Sequence, residues 1–101
     1  MDFEESPNLH DLMAAVGYLL LRWGNLERQL NGASPPPELD TVRSIRNVVS
    51  HGIEEASADP TSGAEPLLRC RDRKGQLVTV TYADLLLAIR ALERFRGALA
   101  S

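Results

Sequence analysis

The sequence predicts a mainly α domain: a small bundle of three helices, with a β-hairpin inserted between the second and third and with dimerisation completing the bundle. Apolar residues recur at helical spacing over about residues 7–31, 38–51 and 82–99. Two short β-type runs at about 67–82 flank a turn signature. The 101 residues allow one domain, 1–101. A domain of this size buries only about two thirds of its unfolded surface, so a second copy would add stability.

The amino-acid composition of the chain excludes several classes of protein. With 44% apolar and 25% charged residues, the chain has the make-up of a folded protein. Its net charge of −3 argues against a general polyanion binder, although a local basic patch can still bind one. The single cysteine, Cys70, excludes an internal disulfide and a Cys-rich zinc site. No apolar run approaches the length of a membrane span, and the acidic start is no signal peptide. We therefore predict a cytoplasmic protein with no membrane partner.

The first helix is predicted from a long apolar stripe that ends at Asn31-Gly32, a common helix stop. The stripe consists of Leu9, Leu12, Met13, Val16, Leu20, Trp23 and Leu30. Tyr18 and Leu21 lie roughly opposite the stripe. A helix that is apolar on two sides is covered on both, by its own chain or by a partner.

The second helix has one apolar side and one polar arc of roughly 140°, at about 100° per residue. The arc carries Arg46, Ser50, Arg43, Asn47 and His51. Arg46 borders the apolar side, and His51 falls in the last turn, where the helix dipole favours a cation. A fixed cation beside a group that moves protons near neutral pH suits phosphodiester chemistry. A solvated helix face that ends in a capping histidine is the structural alternative.

Glu27 falls within the predicted apolar stripe of the first helix, where a carboxylate needs a partner. Arg46 can supply one, because it borders the facing stripe of the second helix, and Arg96 of the third helix is the rival. A partly buried ion pair that sets the helix register would explain Glu27. The same pair would also hold Arg46 in one rotamer, which catalysis would require.

The segment between the second and third helices begins with a predicted surface loop at Ile53–Glu65, rich in acids and turn residues. The hairpin follows, with its turn at Asp72–Gln76. Thr81 is placed to cap the third helix together with Asp84.

The hairpin places Arg69, Arg71 and Arg73 at alternate positions, with Lys74 at the turn. This face can contact an RNA backbone. Equally, it can be a solvated strand face that discourages edge pairing.

The segment Arg46-Asn47-Val48-Val49-Ser50-His51 resembles the signature of the HEPN superfamily, an arginine and a polar residue followed after a short gap by a histidine near a helix end. The preceding helix carries Trp23-Gly24-Asn25-Leu26-Glu27, which is similar to the Leu-Glu-containing first helix of many members. HEPN proteins are helical bundles that commonly dimerise, and a hairpin at this place is not a general feature of the family.

The resemblance implies a metal-independent endoribonuclease, a toxin or defence effector that needs no metal or other cofactor. Its substrate would be RNA, and an antitoxin or defence-system protein would be a possible partner. Arg46 would stabilise the transition state, and His51 would act as general base or acid during attack of the 2′-hydroxyl. Asn47 would orient both, with Glu27, Ser50 and Arg43 in support. The alternatives are a catalytically silent dimeric interaction module, antitoxin-like or regulatory, and a non-cleaving RNA-binding protein that uses the hairpin arginines.

Overall fold

The computed structural model of the chain describes residues 7–59 and 61–100. The elements are, in chain order, helix α1 (Leu9–Leu30), a short 3₁₀ turn (Pro37–Leu39), helix α2 (Asp40–His51), strands β1 (Ile53–Ser57), β2 (Leu67–Arg71) and β3 (Leu77–Thr81), and helix α3 (Tyr82–Ala100). The three helices and the two hairpin strands lie within two residues of the predicted bounds. None of the helices in the described ranges is both long and apolar enough to cross a membrane.

The predicted fold class, a mainly α bundle with an inserted hairpin, is wrong. The segment expected to be a surface loop begins with β1, which pairs antiparallel with β2 and makes a three-stranded sheet of order β1-β2-β3. The domain is therefore α+β. Strand β1 is polar and carries a register shift between Ile53 and Glu55, so it lacks the alternating apolar pattern that signals a strand. Strand β1 forms because its backbone pairs with that of β2, and this pairing adds a third strand to the hairpin.

The buried face of α1 is rotated from the prediction. Its buried residues are Leu12, Ala15, Val16, Leu19, Trp23 and Leu26. Leu9 and Met13, which were assigned to the stripe, are 47% and 41% exposed. Glu27 lies at the same edge and is exposed, so it is not the buried carboxylate that was predicted. Helical spacing identified the helix, but several neighbouring faces of α1 are apolar and the packing against α3 and α2 selected one of them.

One core joins the helices to the inner face of the sheet. Leu68 and Cys70 of β2 and Val80 of β3 face the helices and are almost fully buried, together with Leu85 of α3. The alternate residues of these strands lie on the outer face, where Arg69 and its neighbours are exposed. Within the described part of the chain, the helices thus cover one side of the sheet and leave the other exposed.

Short-range hydrogen bonds fix the helix ends. Helix α1 ends at the predicted stop, where Asn31 takes the left-handed conformation (φ 49°) and its N–H donates to the carbonyls of Glu27 and Arg28. The predicted capping box of α3 is confirmed: the Asp84 N–H donates to Thr81 Oγ1 (3.1 Å), and the Thr81 N–H donates to an Asp84 carboxylate oxygen (3.0 Å). Gly52 ends α2, but its backbone is extended (φ 174°, ψ 117°) rather than left-handed, because the chain passes directly into β1.

Candidate functional site

Helix α2 presents the predicted polar arc to solvent. Val42 and Val49 are buried on its inner side. Arg43, Asn47, Ser50 and His51 are exposed, and Arg46 is half-buried at the border. The apolar residues anchor the helix and leave the motif side chains outward.

These motif side chains line one side of an open groove of about 610 Å³. The other side is the turn between β2 and β3. From α2 the lining residues are Arg43, Ser44, Arg46, Asn47, Val48, Ser50 and His51, and from the turn they are Asp72, Arg73, Lys74 and Gln76. Arg46 and His51, the predicted catalytic pair, therefore face the same groove. Its volume falls within the range of ordinary ligand sites.

The groove concentrates positive charge in a chain that is negative as a whole. Among the residues that the structure describes, four permanent cations line it, namely Arg43, Arg46, Arg73 and Lys74, and one carboxylate, that of Asp72. That carboxylate already accepts two backbone N–H bonds of 2.9 Å within its own turn. A concave surface of one charge sign concentrates ligands of the opposite sign, so the groove favours an anion.

The guanidinium of Arg46 makes two contacts with neighbouring side chains. Its Nη1 donates to the Asn47 side-chain oxygen at 3.0 Å. Its Nη2 lies 3.9 Å from Glu27 Oε1, which confirms Glu27 as the predicted partner. The side chains of Arg46 and Glu27 are 34% and 54% exposed, so water screens this ion pair. It is therefore not the partly buried ion pair that was expected to fix the register of the two helices. The side chain of Arg96, the rival partner, lies outside the described residues.

His51 is the last residue of α2 and its imidazole is exposed at the groove. Among the described residues no side-chain hydrogen bond or ion pair engages it. Both ring nitrogens can therefore meet a ligand. Ser50 donates its hydroxyl to the Asn47 carbonyl (3.3 Å), a bond within the helix.

The structure separates the four predicted RNA-contacting cations of the hairpin. Arg73 and Lys74 line the groove, whereas Arg69 and Arg71 do not. Arg71 is engaged elsewhere, because its Nε donates to Glu54 Oε2 at 3.1 Å. The position of the turn opposite the motif could not be predicted, because nothing local in the sequence relates α2 to that turn.

The described residues provide neither a metal site nor an accessible thiol. Across residues 7–59 and 61–100 no group of three or more His, Cys, Asp or Glu side chains is placed to hold a metal ion. Cys70 is buried in the core, and that burial, with a smaller contribution from the charge of Glu54, raises the pKa of its thiol. A raised pKa makes the thiol a poor nucleophile.

Comparisons with protein-family models, with curated proteins and with solved structures find no match to this chain. The resemblance to the HEPN superfamily therefore rests on the sequence motif at residues 46–51 and its preceding helix.

Proposed function

We propose that this chain is a metal-independent endoribonuclease of HEPN type, a toxin or defence effector of the cytoplasm. The observation that carries the proposal is that Arg46 and His51, five residues apart on α2, line the same cationic groove. An RNA phosphodiester is an anion, and its cleavage is accelerated by a cation that stabilises charge on the phosphoryl oxygens and by a group that moves protons.

The proposed reaction is an internal transfer at phosphorus. His51 accepts the proton of a ribose 2′-hydroxyl while the 2′-oxygen attacks the adjacent phosphorus. The bond from phosphorus to the 5′-oxygen breaks, the 5′-oxygen takes a proton from solvent water, and His51 returns its proton to solvent, so that a 2′,3′-cyclic phosphate and a free 5′-hydroxyl remain. Arg46 donates hydrogen bonds to the phosphoryl oxygens, whose charge grows in the transition state.

The neighbouring residues of α2 have supporting roles in this scheme. Asn47 accepts a hydrogen bond from Arg46, which orients the guanidinium fork toward the groove. Arg43 adds a second cation on the same wall for a flanking phosphate. Ser50 adds a hydroxyl-bearing residue to the same wall. A homodimer, as in the HEPN family, would bring two such motifs together, and an antitoxin or defence-system partner would act on the same cleft.

A second candidate function is a non-catalytic interaction module. It is favoured by the contacts of Arg46 with Glu27 and Asn47, which partly occupy the guanidinium. In such a module the cationic groove binds an acidic partner or RNA and breaks no bond.

The deciding experiment is cleavage of labelled single-stranded RNA by purified protein in EDTA, with the cyclic phosphate product identified by mass spectrometry. We expect His51→Ala to lower the rate by about 10²–10⁴-fold, the usual contribution of general acid–base catalysis. Arg46→Ala should cost about 10²–10³-fold, as for other groups that stabilise an oxyanion.

The matched controls are His10→Ala and Arg90→Ala. Both residues are exposed on other helices and lie outside the groove lining. The controls should cleave at the wild-type rate, and circular dichroism should show that all four variants are folded. Cleavage that persists in His51→Ala would refute the catalytic assignment. RNA binding by the wild-type protein without cleavage would favour the second candidate.

A further inference from the structure

The β2–β3 turn is a pre-formed structure rather than a loose connection. The Asp72 N–H donates to the Gln76 carbonyl (3.0 Å), and the Gly75 N–H donates to the Asp72 carbonyl (3.0 Å). The Asp72 carboxylate accepts the backbone N–H groups of Lys74 and Gln76, each at 2.9 Å. Gly75 takes a positive φ of 78°, which glycine adopts without strain. Such a turn presents its remaining side chains in a defined direction.

Arg71 braces this turn against the sheet. Its Nε donates to the Glu54 carboxylate of β1 at 3.1 Å, and its Nη1 donates to the Gly75 carbonyl at 3.0 Å. The guanidinium thus connects β1 to the far side of the turn. Strand β1, in the segment predicted to be a surface loop, provides the anchoring carboxylate.

The brace leaves Arg73 and Lys74 as the cations of the turn that can meet a ligand. Both side chains are exposed, both line the groove, and neither has a side-chain hydrogen bond or ion pair within the described part of the chain. Across the groove they face Arg43 and Arg46 of α2. A ligand in the groove therefore meets cations on two walls.

We propose that the β2–β3 turn is the second wall of an RNA-binding groove, in which Arg73 and Lys74 bind phosphates that flank the one served by Arg46 and His51. This inference rests on the proposed function in one respect, that the ligand is RNA. It assigns Arg73 and Lys74 to substrate binding, Arg71 and Glu54 to positioning the turn, and no role in the groove to Arg69.

The test measures binding of the wild-type protein and its variants to a single-stranded 2′-O-methyl RNA by fluorescence anisotropy at several salt concentrations. This RNA cannot be cleaved through its 2′-oxygens, so binding is read without catalysis. The test variant is Arg73→Gln/Lys74→Gln. The charge-matched control is Arg90→Gln/Arg94→Gln, in which two exposed arginines of α3 are replaced. Arg69→Gln examines the outer face of the sheet.

Each phosphate contact with a single strand contributes about 0.7 to the slope of log K against log salt. Loss of two contacts should therefore make the slope shallower by about 1.4 in Arg73→Gln/Lys74→Gln and weaken binding at low salt. The α3 control and Arg69→Gln should keep the wild-type slope.

An unchanged slope in the turn variant would overturn the inference. An equal change of the salt slope in Arg69→Gln would also overturn it, because the RNA would then lie on the outer face of the sheet. A wild-type protein that binds no RNA would overturn it as well. A wild-type protein that binds RNA through the turn but cleaves none would refute the nuclease proposal and support this inference.

The brace has its own readout. Glu54→Gln should shift the amide signals of the turn in NMR spectra, because Arg71 loses its charged anchor, while the salt slope of RNA binding stays nearer to wild type than in the double variant, because the phosphate-binding cations remain. Loss of binding with no change in the turn's amide signals in NMR spectra would contradict the positioning role.

Discussion

Replacing Glu27 by glutamine removes the carboxylate that lies 3.9 Å from the Arg46 guanidinium and so tests what this ion pair does. Two unit charges at 4 Å attract by about 1 kcal/mol in water and about 4 kcal/mol at the effective dielectric constant of a protein surface. The two side chains are 34% and 54% exposed, so water screens the pair and the lower figure applies. Measured exposed pairs contribute about 0.2–1 kcal/mol.

We therefore expect Glu27→Gln to lower the free energy of unfolding by less than about 1 kcal/mol. The same substitution should strengthen RNA binding in the groove, because the positive charge of Arg46 is no longer partly neutralised by a carboxylate. A gain of up to about 1 kcal/mol in binding corresponds to roughly a fivefold tighter Kd for RNA. Unfolding in urea can be followed by the fluorescence of Trp23, the chain's one tryptophan, which is 3% exposed. RNA binding can be followed by anisotropy at low salt.

Glu93→Gln is the matched control, since it removes an equal charge from an exposed position on α3 outside the groove lining. In this control, neither the free energy of unfolding nor the free energy of RNA binding should change by more than about 0.5 kcal/mol. A loss of more than about 2 kcal/mol of stability in Glu27→Gln would refute the screened-pair argument. Weaker RNA binding in that variant would show that Glu27 holds Arg46 in position.

Three further outcomes follow from the fold. Leu68→Ala, in the buried centre of the sheet, should cost about 2–5 kcal/mol of unfolding free energy in urea titrations, and a cost below about 1 kcal/mol would contradict the described core. Thr81→Ala removes the side-chain cap of α3 and should lower the free energy of unfolding by about 1 kcal/mol in the same titrations. An unchanged free energy of unfolding would show that the Asp84 backbone N–H needs no side-chain partner. Burial raises the pKa of the Cys70 thiol, so the thiol loses its proton at a lower pH in the unfolded chain than in the folded protein. The stability that the buried neutral thiol contributes is therefore complete below the ordinary thiol pKa and is lost as the pH rises through the pKa of the folded protein. Iodoacetamide should accordingly modify Cys70 in urea and not in the native protein, as read by mass spectrometry, and rapid native alkylation would place the thiol at the surface.

What could be predicted from the sequence is what short-range chemistry decides. The ends of α1 and α3 depend on Asn31 and on the Thr81–Asp84 box, whose hydrogen bonds join residues three or four apart. The split of α2 into an apolar side and a polar arc follows from helical geometry alone. These features place Arg46 and His51 on one exposed surface before any packing is considered.

The tertiary structure decided the rest. It selected which apolar face of α1 is buried, and so left Glu27 in water, because that choice depends on the shape of the helices packed against it. It also made a strand of Ile53–Ser57, whose polar sequence gains its hydrogen bonds from β2. The groove itself is a product of that packing: α2 and the β2–β3 turn are separated by about twenty residues of chain, and only the sheet brings the turn's cations opposite the helix.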